Sequence, residues 1–169
     1  MNDENALVEM IRRHGNMIYK LAFVYMKSET DAEDVYQNVF ERYLKYKPEF
    51  ENQDHEKNWF IVATINVCKS MKSSAWSRYN VTVDEAEWEK IISAASMNQM
   101  TEEESMLVEA VMQLEEEDRL IVQLYYYEDY SIKEIARIVG MKESSVYTRL
   151  NRARKKIQRW MTKKGYDRR

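Results

Sequence analysis

The sequence predicts an all-α fold made of two small helical domains joined by a linker. Glycine (3 of 169 residues) and proline (1) are scarce, and both residues disfavour the interior of a helix. Apolar residues recur with a period near 3.6, which is typical of amphipathic helices, in one block before residue 74 and another after residue 100. The stretch between these blocks has weak periodicity and predicts a linker with a short helix near 85–95.

Charge is distributed unevenly along the chain. The net charge is only −3, but residues 81–118 hold one basic and 12 acidic side chains, whereas residues 119–169 hold 14 basic and five acidic ones. An acidic stretch is repelled by a polyanion, and a basic helix is suited to bind phosphates. A nucleic-acid partner is therefore expected at the C-terminal end.

The N-terminal block predicts three helices. The first runs from about Ala6 to Met26. The second begins at a capping box, Thr30 to Glu33, in which both side chains satisfy amides of the first turn. It ends near Tyr46, because Pro48 disfavours a helical residue before it. A polar loop over 49–57 leads to the third helix, from about 58 to 73.

The C-terminal block predicts four helices, two of which begin at capping boxes. Thr101 to Glu104 opens a helix to about residue 113, and a second helix follows over 116–127. Ser131 to Glu134 opens a short third helix that ends at Gly140, since glycine adopts the left-handed conformation at little cost. The last helix begins near Glu143.

The last two helices predict a helix-turn-helix. Val146 and Leu150 form an apolar pair on the last helix that faces the preceding helices. Ala136 is small enough for two helices to cross closely. The outward face of the last helix carries hydroxyl, amide, aromatic and basic side chains of the kinds that contact base edges and phosphates. The alternative is an ordinary helical hairpin, but this outward face is not the usual solvent-facing mixture of glutamate and lysine.

Several classes of function lack their characteristic residues. No apolar run approaches the roughly 18–20 residues of a membrane span, and the acidic N-terminus is unlike a signal peptide, so a cytoplasmic protein without direct membrane insertion is expected. Cys68, His14 and His55 make neither a disulfide nor a zinc-ligand spacing. Without a glycine-rich phosphate loop or a nucleophile with a histidine partner, no metal, no cofactor and no enzymatic activity is expected.

Two parts of the sequence resemble extracytoplasmic-function (ECF) sigma factors of the sigma-70 family. The run from Gln113 to Gly140, continued by SVYTRLNRARKK from Ser145 to Lys156, resembles region 4 of that family. DAEDVYQNVF, Asp31 to Phe40, is similar to region 2.2, and WFIVATIN, Trp59 to Asn66, to the helix that follows region 2.2. The resemblance implies region 2 over 1–75, an acidic linker over 76–103 and region 4 over 104–169.

The resemblance implies a dissociable specificity subunit of bacterial RNA polymerase. Region 2 would bind the clamp of the largest subunit, region 4 the flap of the second-largest subunit, and a cognate anti-sigma factor would hold the protein inactive. Four residues fall on the clamp-binding helix: Asp34, Gln37, Phe40 and Arg42. Phe40 is equally suited to the core by its spacing, and Asn38 stands where relatives usually carry an acidic residue.

The resemblance also implies a contact with the minus-ten promoter element. A loop at about 52–58 would capture a flipped base, and the following helix would lie along the non-template strand. The residues implied are Asn52, His55, Lys57, Asn58, Asn66 and Lys69. Trp59 is a candidate for base stacking, but its spacing favours the core.

The last helix would read the minus-thirty-five element. The matched residues are Ser144, Ser145, Tyr147, Thr148, Asn151 and Arg152, with Arg149 and Lys155 nearer the phosphates. Relatives often carry arginine or lysine where Tyr147 stands, and an aromatic ring cannot make the bidentate contact that arginine makes with guanine. The preferred element is therefore expected to be unusual.

A second hypothesis belongs to a different class of protein. A stand-alone helix-turn-helix regulator, whose N-terminal block dimerises or senses, would account for the basic helix. Under this hypothesis, the resemblance of Asp31 to Phe40 and of Trp59 to Asn66 to sigma factors would be a coincidence. Binding to core RNA polymerase discriminates between the two hypotheses, because a stand-alone regulator would bind an operator tightly and would not bind the polymerase.

Overall fold

The computed structural model describes residues 2–74 and 101–165, which belong to two different units of the chain. Every regular element within these ranges is helical, which confirms the all-α prediction there; the short helix predicted near 85–95 lies outside them. The elements are α1 (Asp3–Met26), α2 (Glu29–Tyr46), α3 (Gln53–Ser73), α4 (Glu102–Met112), α5 (Glu116–Val122), a π-helical turn (Gln123–Tyr127), α6 (Ile132–Val139) and α7 (Glu143–Lys163).

In the N-terminal unit, residues 2–74, each of the three helices packs against the other two. Their apolar stripes meet in one core, because each helix is apolar along one side. The fully buried side chains at its centre come from all three helices: Ile18, Leu21, Val35, Val39, Phe60 and Ile61. The three predicted helices are confirmed, with different starting points.

All three helix starts in this unit come earlier than predicted, and α1 begins at Asp3, three residues before Ala6. Helix α2 begins at Glu29 and is capped by Ser28, whose hydroxyl accepts from the Asp31 amide at 3.2 Å. The capping box predicted at Thr30 is wrong, because Ser28 occupies the capping position and Thr30 already lies within the first turn of the helix. Helix α3 begins at Gln53, five residues earlier than predicted. Its first turn is polar, and the buried side chain of that turn is the charged Glu56, so apolar periodicity gave no signal there.

In the C-terminal unit, residues 101–165, both predicted capping boxes are present. Thr101 and Glu104 exchange hydrogen bonds of 3.2 and 2.9 Å at the start of α4. Ser131 and Glu134 do the same at the start of α6, at 3.1 and 2.9 Å. Gly140 ends α6 with a φ of 70°, the left-handed conformation predicted for it.

The helix predicted over 116–127 is α-helical only to Val122. The next five residues form a π-helical turn, closed by a bond of 3.2 Å from the Glu128 amide to the Gln123 carbonyl. The wider turn leaves Tyr126 and Tyr127 exposed. Such turns depend on one extra residue per turn, which the apolar pattern does not reveal.

Helix α7 packs against α4, α5 and α6. Val146, Leu150 and Ala153 form the buried stripe that makes these contacts, which confirms the predicted apolar pair. Because three other helices contact α7, the arrangement is not a simple two-helix hairpin. One side of α7 is thus held firmly and the opposite side is left for solvent.

Candidate nucleic-acid interface

The solvent side of α7 carries most of the residues predicted to read DNA. The buried stripe fixes the rotation of the helix, so that the residues between the buried positions lie outward. Asn151 is half-buried, and the others are exposed: Ser144, Ser145, Tyr147, Thr148, Arg152 and Lys155. The helix brings these side chains together on one surface.

The hydroxyl of Thr148 is turned onto its own helix. It donates to the Ser144 carbonyl at 2.8 Å, a bond that threonine often makes within helices. The donor of this side chain is thereby used within the protein. What Thr148 offers a ligand is its methyl group and the oxygen lone pairs.

Arg149 has a partner inside the protein. Its guanidinium donates to the Asp118 carboxylate on α5 at 3.0 Å, and the two side chains are 34% and 8% exposed. The sequence had placed Arg149 near the phosphates. The structure shows that it links α7 to α5 and also lines a shallow depression of about 370 Å³ with Ser144, Ser145, Thr148 and Arg152, so its contact with phosphates stays a prediction.

Replacing Asp118 with alanine is expected to destabilise the C-terminal unit by about 1–3 kcal/mol, since a charged hydrogen bond is lost and a half-buried guanidinium is left unpaired. Hydrogen exchange should show faster exchange in α5 and α7, with α1–α3 of the same molecules as an internal control. In the Asp118→Ala, Arg149→Ala double variant the loss should be smaller than the sum of the single losses. Additive losses would show that the pair is not coupled.

Arg154 also fixes α7, although the sequence did not single it out. Its guanidinium lies over the rings of Tyr125 and Tyr126 in the π-helical turn, at 5.6 and 5.4 Å from their centres. It also donates to the Tyr126 hydroxyl, and this hydrogen bond raises the pKa of Arg154. The only sequence signal was the run of three tyrosines. Arg154, which contacts Tyr126 of this run, lies 28 residues further along the chain.

On α2, the predicted polymerase-binding residues separate into two groups. Asp34 and Gln37 are exposed, and the Gln37 amide donates to Glu41 at 3.2 Å. Arg42 is half-buried and donates to Asn38 at 3.2 Å. Phe40 is only 6% exposed and packs on the Phe60 ring at 5.8 Å. The assignment of Phe40 to a surface contact is therefore corrected, because its side chain belongs to the core.

The predicted base-capturing loop at 52–58 is instead the start of α3. Asn52 is the helix cap, and its side-chain oxygen accepts from the His55 amide at 2.8 Å. The Nδ1 atom of His55 accepts from the Glu51 amide at 3.2 Å. Both side chains therefore support the helix start, and the structure does not form a pocket from a loop here.

The other residues predicted on α3 lie along its length. Asn58 and Asn66 are exposed, and Lys57 and Lys69 are half-buried. Trp59 is half-buried too. The centre of its ring lies 6.1 Å from the ring centre of Phe50, 6.4 Å from that of Tyr43 and 5.0 Å from that of Phe60. Trp59 is thus at the edge of the aromatic core.

A cluster of polar and charged side chains around the buried Glu56 was not predicted from the sequence. Glu56 lies in the segment predicted as a loop, and its carboxylate accepts from Arg13 at 2.8 Å and contacts the His14 Nε2 atom at 2.6 Å. His14 stacks on Phe60 with 4.8 Å between ring centres. The cluster ties α1 to the start of α3. Cys68 lies about three turns beyond Glu56 on α3 and is also buried, and burial raises the pKa of its thiol to about 12.

No helix within the described part of the chain is both long and apolar enough to cross a membrane. Within the same residues, no group of three or more histidine, cysteine, aspartate or glutamate side chains could hold a metal ion.

The two helical units and the outward face of α7 define a DNA-binding protein of the helix-turn-helix class. Family models for Sigma-70 region 2 and Sigma-70, region 4 match residues 10–78 and 104–157. The chain belongs to the sigma-70 family, as an extracytoplasmic-function sigma factor.

Sigma factors of other bacteria and a solved structure of a sigma factor are similar to this chain. The chain is 29% identical to the RNA polymerase sigma factor SigV of Bacillus subtilis over 161 residues, covering 93% of this chain and 92% of SigV. It is 25% identical to the ECF RNA polymerase sigma factor SigM of Mycobacterium tuberculosis, covering 93% and 78%. A chain in the co-crystal structure of the sigma factor RpoE with the anti-sigma factor NepR from Bartonella quintana matches with a TM-score of 0.68 at 16% identity, covering 91% and 95%, and shares the fold.

Proposed function

We propose that this protein is a non-catalytic, cytoplasmic sigma subunit that binds core RNA polymerase and directs promoter-specific initiation of transcription. Region 2 spans 1–75, an acidic linker 76–103 and region 4 104–169. The observation that carries the proposal is the outward face of α7, where polar, aromatic and basic side chains are exposed on a helix held by three others. Such a helix fits the major groove.

The polymerase clamp is proposed to bind the exposed side of α2. Asp34 and Gln37 are three residues apart and lie on one face of the helix, and both are accessible. Arg42 lies about two turns beyond Asp34, where it donates to Asn38. Phe40 supports the surface from inside the core. Region 4 is proposed to bind the flap of the second-largest subunit.

The minus-ten element is proposed to lie along α3. Asn58, Asn66 and Lys69 offer amide donors and a cation along the helix, which suits a single strand held by its bases and backbone. Asn52, His55 and Lys57 lie at the start of the same helix. The first two contribute chiefly by fixing this end of α3.

An anti-sigma factor is the third proposed partner. The solved relative RpoE was crystallised in complex with the anti-sigma factor NepR, and this chain shares its fold. We propose that a cognate anti-sigma factor holds this protein inactive by occluding the polymerase-binding side of α2 and the reading side of α7.

Reconstitution with core RNA polymerase tests the proposed function. The chain should co-purify with the core enzyme and support run-off transcription from genomic fragments, including the one upstream of its own gene. Asp34→Lys is expected to weaken core binding by roughly tenfold, because it reverses a charge at the interface. Glu49→Lys is the matched control, since Glu49 is an exposed acid in the segment between α2 and α3.

Two results would contradict the proposal. The first is the absence of core binding together with tight binding of an operator by the free chain, which would favour a stand-alone regulator. The second is equal loss of binding in the Asp34 and Glu49 variants, which would show that the α2 side is not the interface.

A further inference from the structure

The ring of Tyr147 faces solvent on α7 and has no partner among the described residues. The side chain is 55% exposed in the first turns of α7, directly after the buried Val146. No other described residue makes a hydrogen bond or ring contact with it. A tyrosine kept outward on a basic helix adds apolar surface to a face that is otherwise polar.

The residues that follow Tyr147 strengthen this apolar character. The Thr148 hydroxyl donates to the Ser144 carbonyl, and the Arg149 guanidinium donates to Asp118. The Thr148 donor is therefore used within its own helix, and one donor of the Arg149 guanidinium is used by Asp118. The next exposed cation of α7, Arg152, is five residues further along and well round the helix from Tyr147.

The groups that each base exposes in the major groove indicate which base an apolar surface would contact. Guanine offers two acceptors, which suit the paired donors of arginine, and adenine and cytosine offer amino groups that suit amides and carboxylates. Thymine offers a C5 methyl group, the apolar group at the base edges of this groove. A tyrosine ring and a threonine methyl group match that group best.

We infer that Tyr147 is a specificity-determining residue that selects thymine at one position of the minus-thirty-five element, by contact of its ring with the C5 methyl group. The inference rests on the proposed function, since it assumes that α7 enters the major groove of a promoter. It replaces the guanine preference that an arginine at this position would impose.

The test uses holoenzyme reconstituted from core RNA polymerase and the full chain. A promoter found by run-off transcription is randomised over its minus-thirty-five positions, and thymine should be enriched at one of them. Replacing this thymine by deoxyuridine removes only the methyl group, and should lower the transcription rate about threefold to tenfold. The penalty should remain in Tyr147→Phe and disappear in Tyr147→Ala, while Tyr147→Arg should enrich guanine at the same position.

Tyr127→Ala is the matched control, because Tyr127 is 53% exposed in the same unit but lies outside α7. This variant should keep the full deoxyuridine penalty. The inference is overturned if no position enriches thymine, if deoxyuridine costs nothing, or if Tyr147→Ala retains the penalty. Absence of transcription from every member of the library with the unsubstituted chain would overturn the proposed function itself, a result distinct from the other three.

Discussion

Replacing Phe60 with alanine is expected to lower the free energy of unfolding of the N-terminal unit by about 3–5 kcal/mol. The side chain is fully buried at the point where all three helices meet. Its removal leaves a cavity and deletes ring contacts, which add to the cost of lost burial. The rings that contact it come from all parts of the unit: His14, Phe40, Tyr43, Phe50 and Trp59.

Hydrogen exchange measured peptide by peptide gives the check. Exchange should become faster throughout α1–α3 and stay unchanged in α4–α7, which belong to the other unit. Trp59→Ala is the matched control, because Trp59 is a neighbouring aromatic residue at the edge of the core, and its loss should be smaller. Phe60→Leu, which retains much of the volume, should recover most of the stability. An equal effect of the Phe60 and Trp59 alanine variants would contradict the central position of Phe60.

The elements that the sequence predicted well are those fixed by local rules. The capping boxes at Thr101 and Ser131 and the left-handed Gly140 depend on hydrogen bonds and backbone conformations within a few residues. The buried pair Val146 and Leu150 depends only on helical periodicity. These features hold in the structure because tertiary packing does not oppose them.

What the sequence did not reveal depends on contacts between distant residues. Arg149 was predicted as a phosphate contact, and the sequence did not reveal its partner in the protein, Asp118, which is 31 residues earlier in the chain. Glu56 was assigned to a polar loop, but α1 supplies it with Arg13 and His14 from more than 40 residues away. An ion pair with one buried partner leaves no periodic signal, because each charged residue alone looks like a surface residue.

Replacing Arg152 with alanine is expected to reduce promoter-specific transcription by about tenfold to a hundredfold, because a bidentate contact between arginine and guanine contributes about 1–3 kcal/mol of discrimination. Arg152 is exposed on the reading side of α7, one turn after Thr148. With Arg149 held by Asp118, Arg152 is the first arginine of this helix that lies fully outward. The loss should be concentrated at one position of the minus-thirty-five element, and binding to core RNA polymerase should not change.

Lys155→Ala serves to distinguish a base-specific contact from a sequence-independent contact with the DNA phosphates. Lys155 is exposed three residues further along α7, and a lysine held against phosphate should weaken binding uniformly across sequences and reduce the salt dependence by about one counterion. Arg152→Ala should instead relax the preference at one base pair. Run-off transcription on promoter variants at two salt concentrations distinguishes the two patterns. If Arg152→Ala also abolished core binding, the substitution would be acting on the fold. If both variants lost transcription uniformly across promoter variants, Arg152 would be a phosphate contact. Tyr147 and Asn151 would then be the residues that contact the bases.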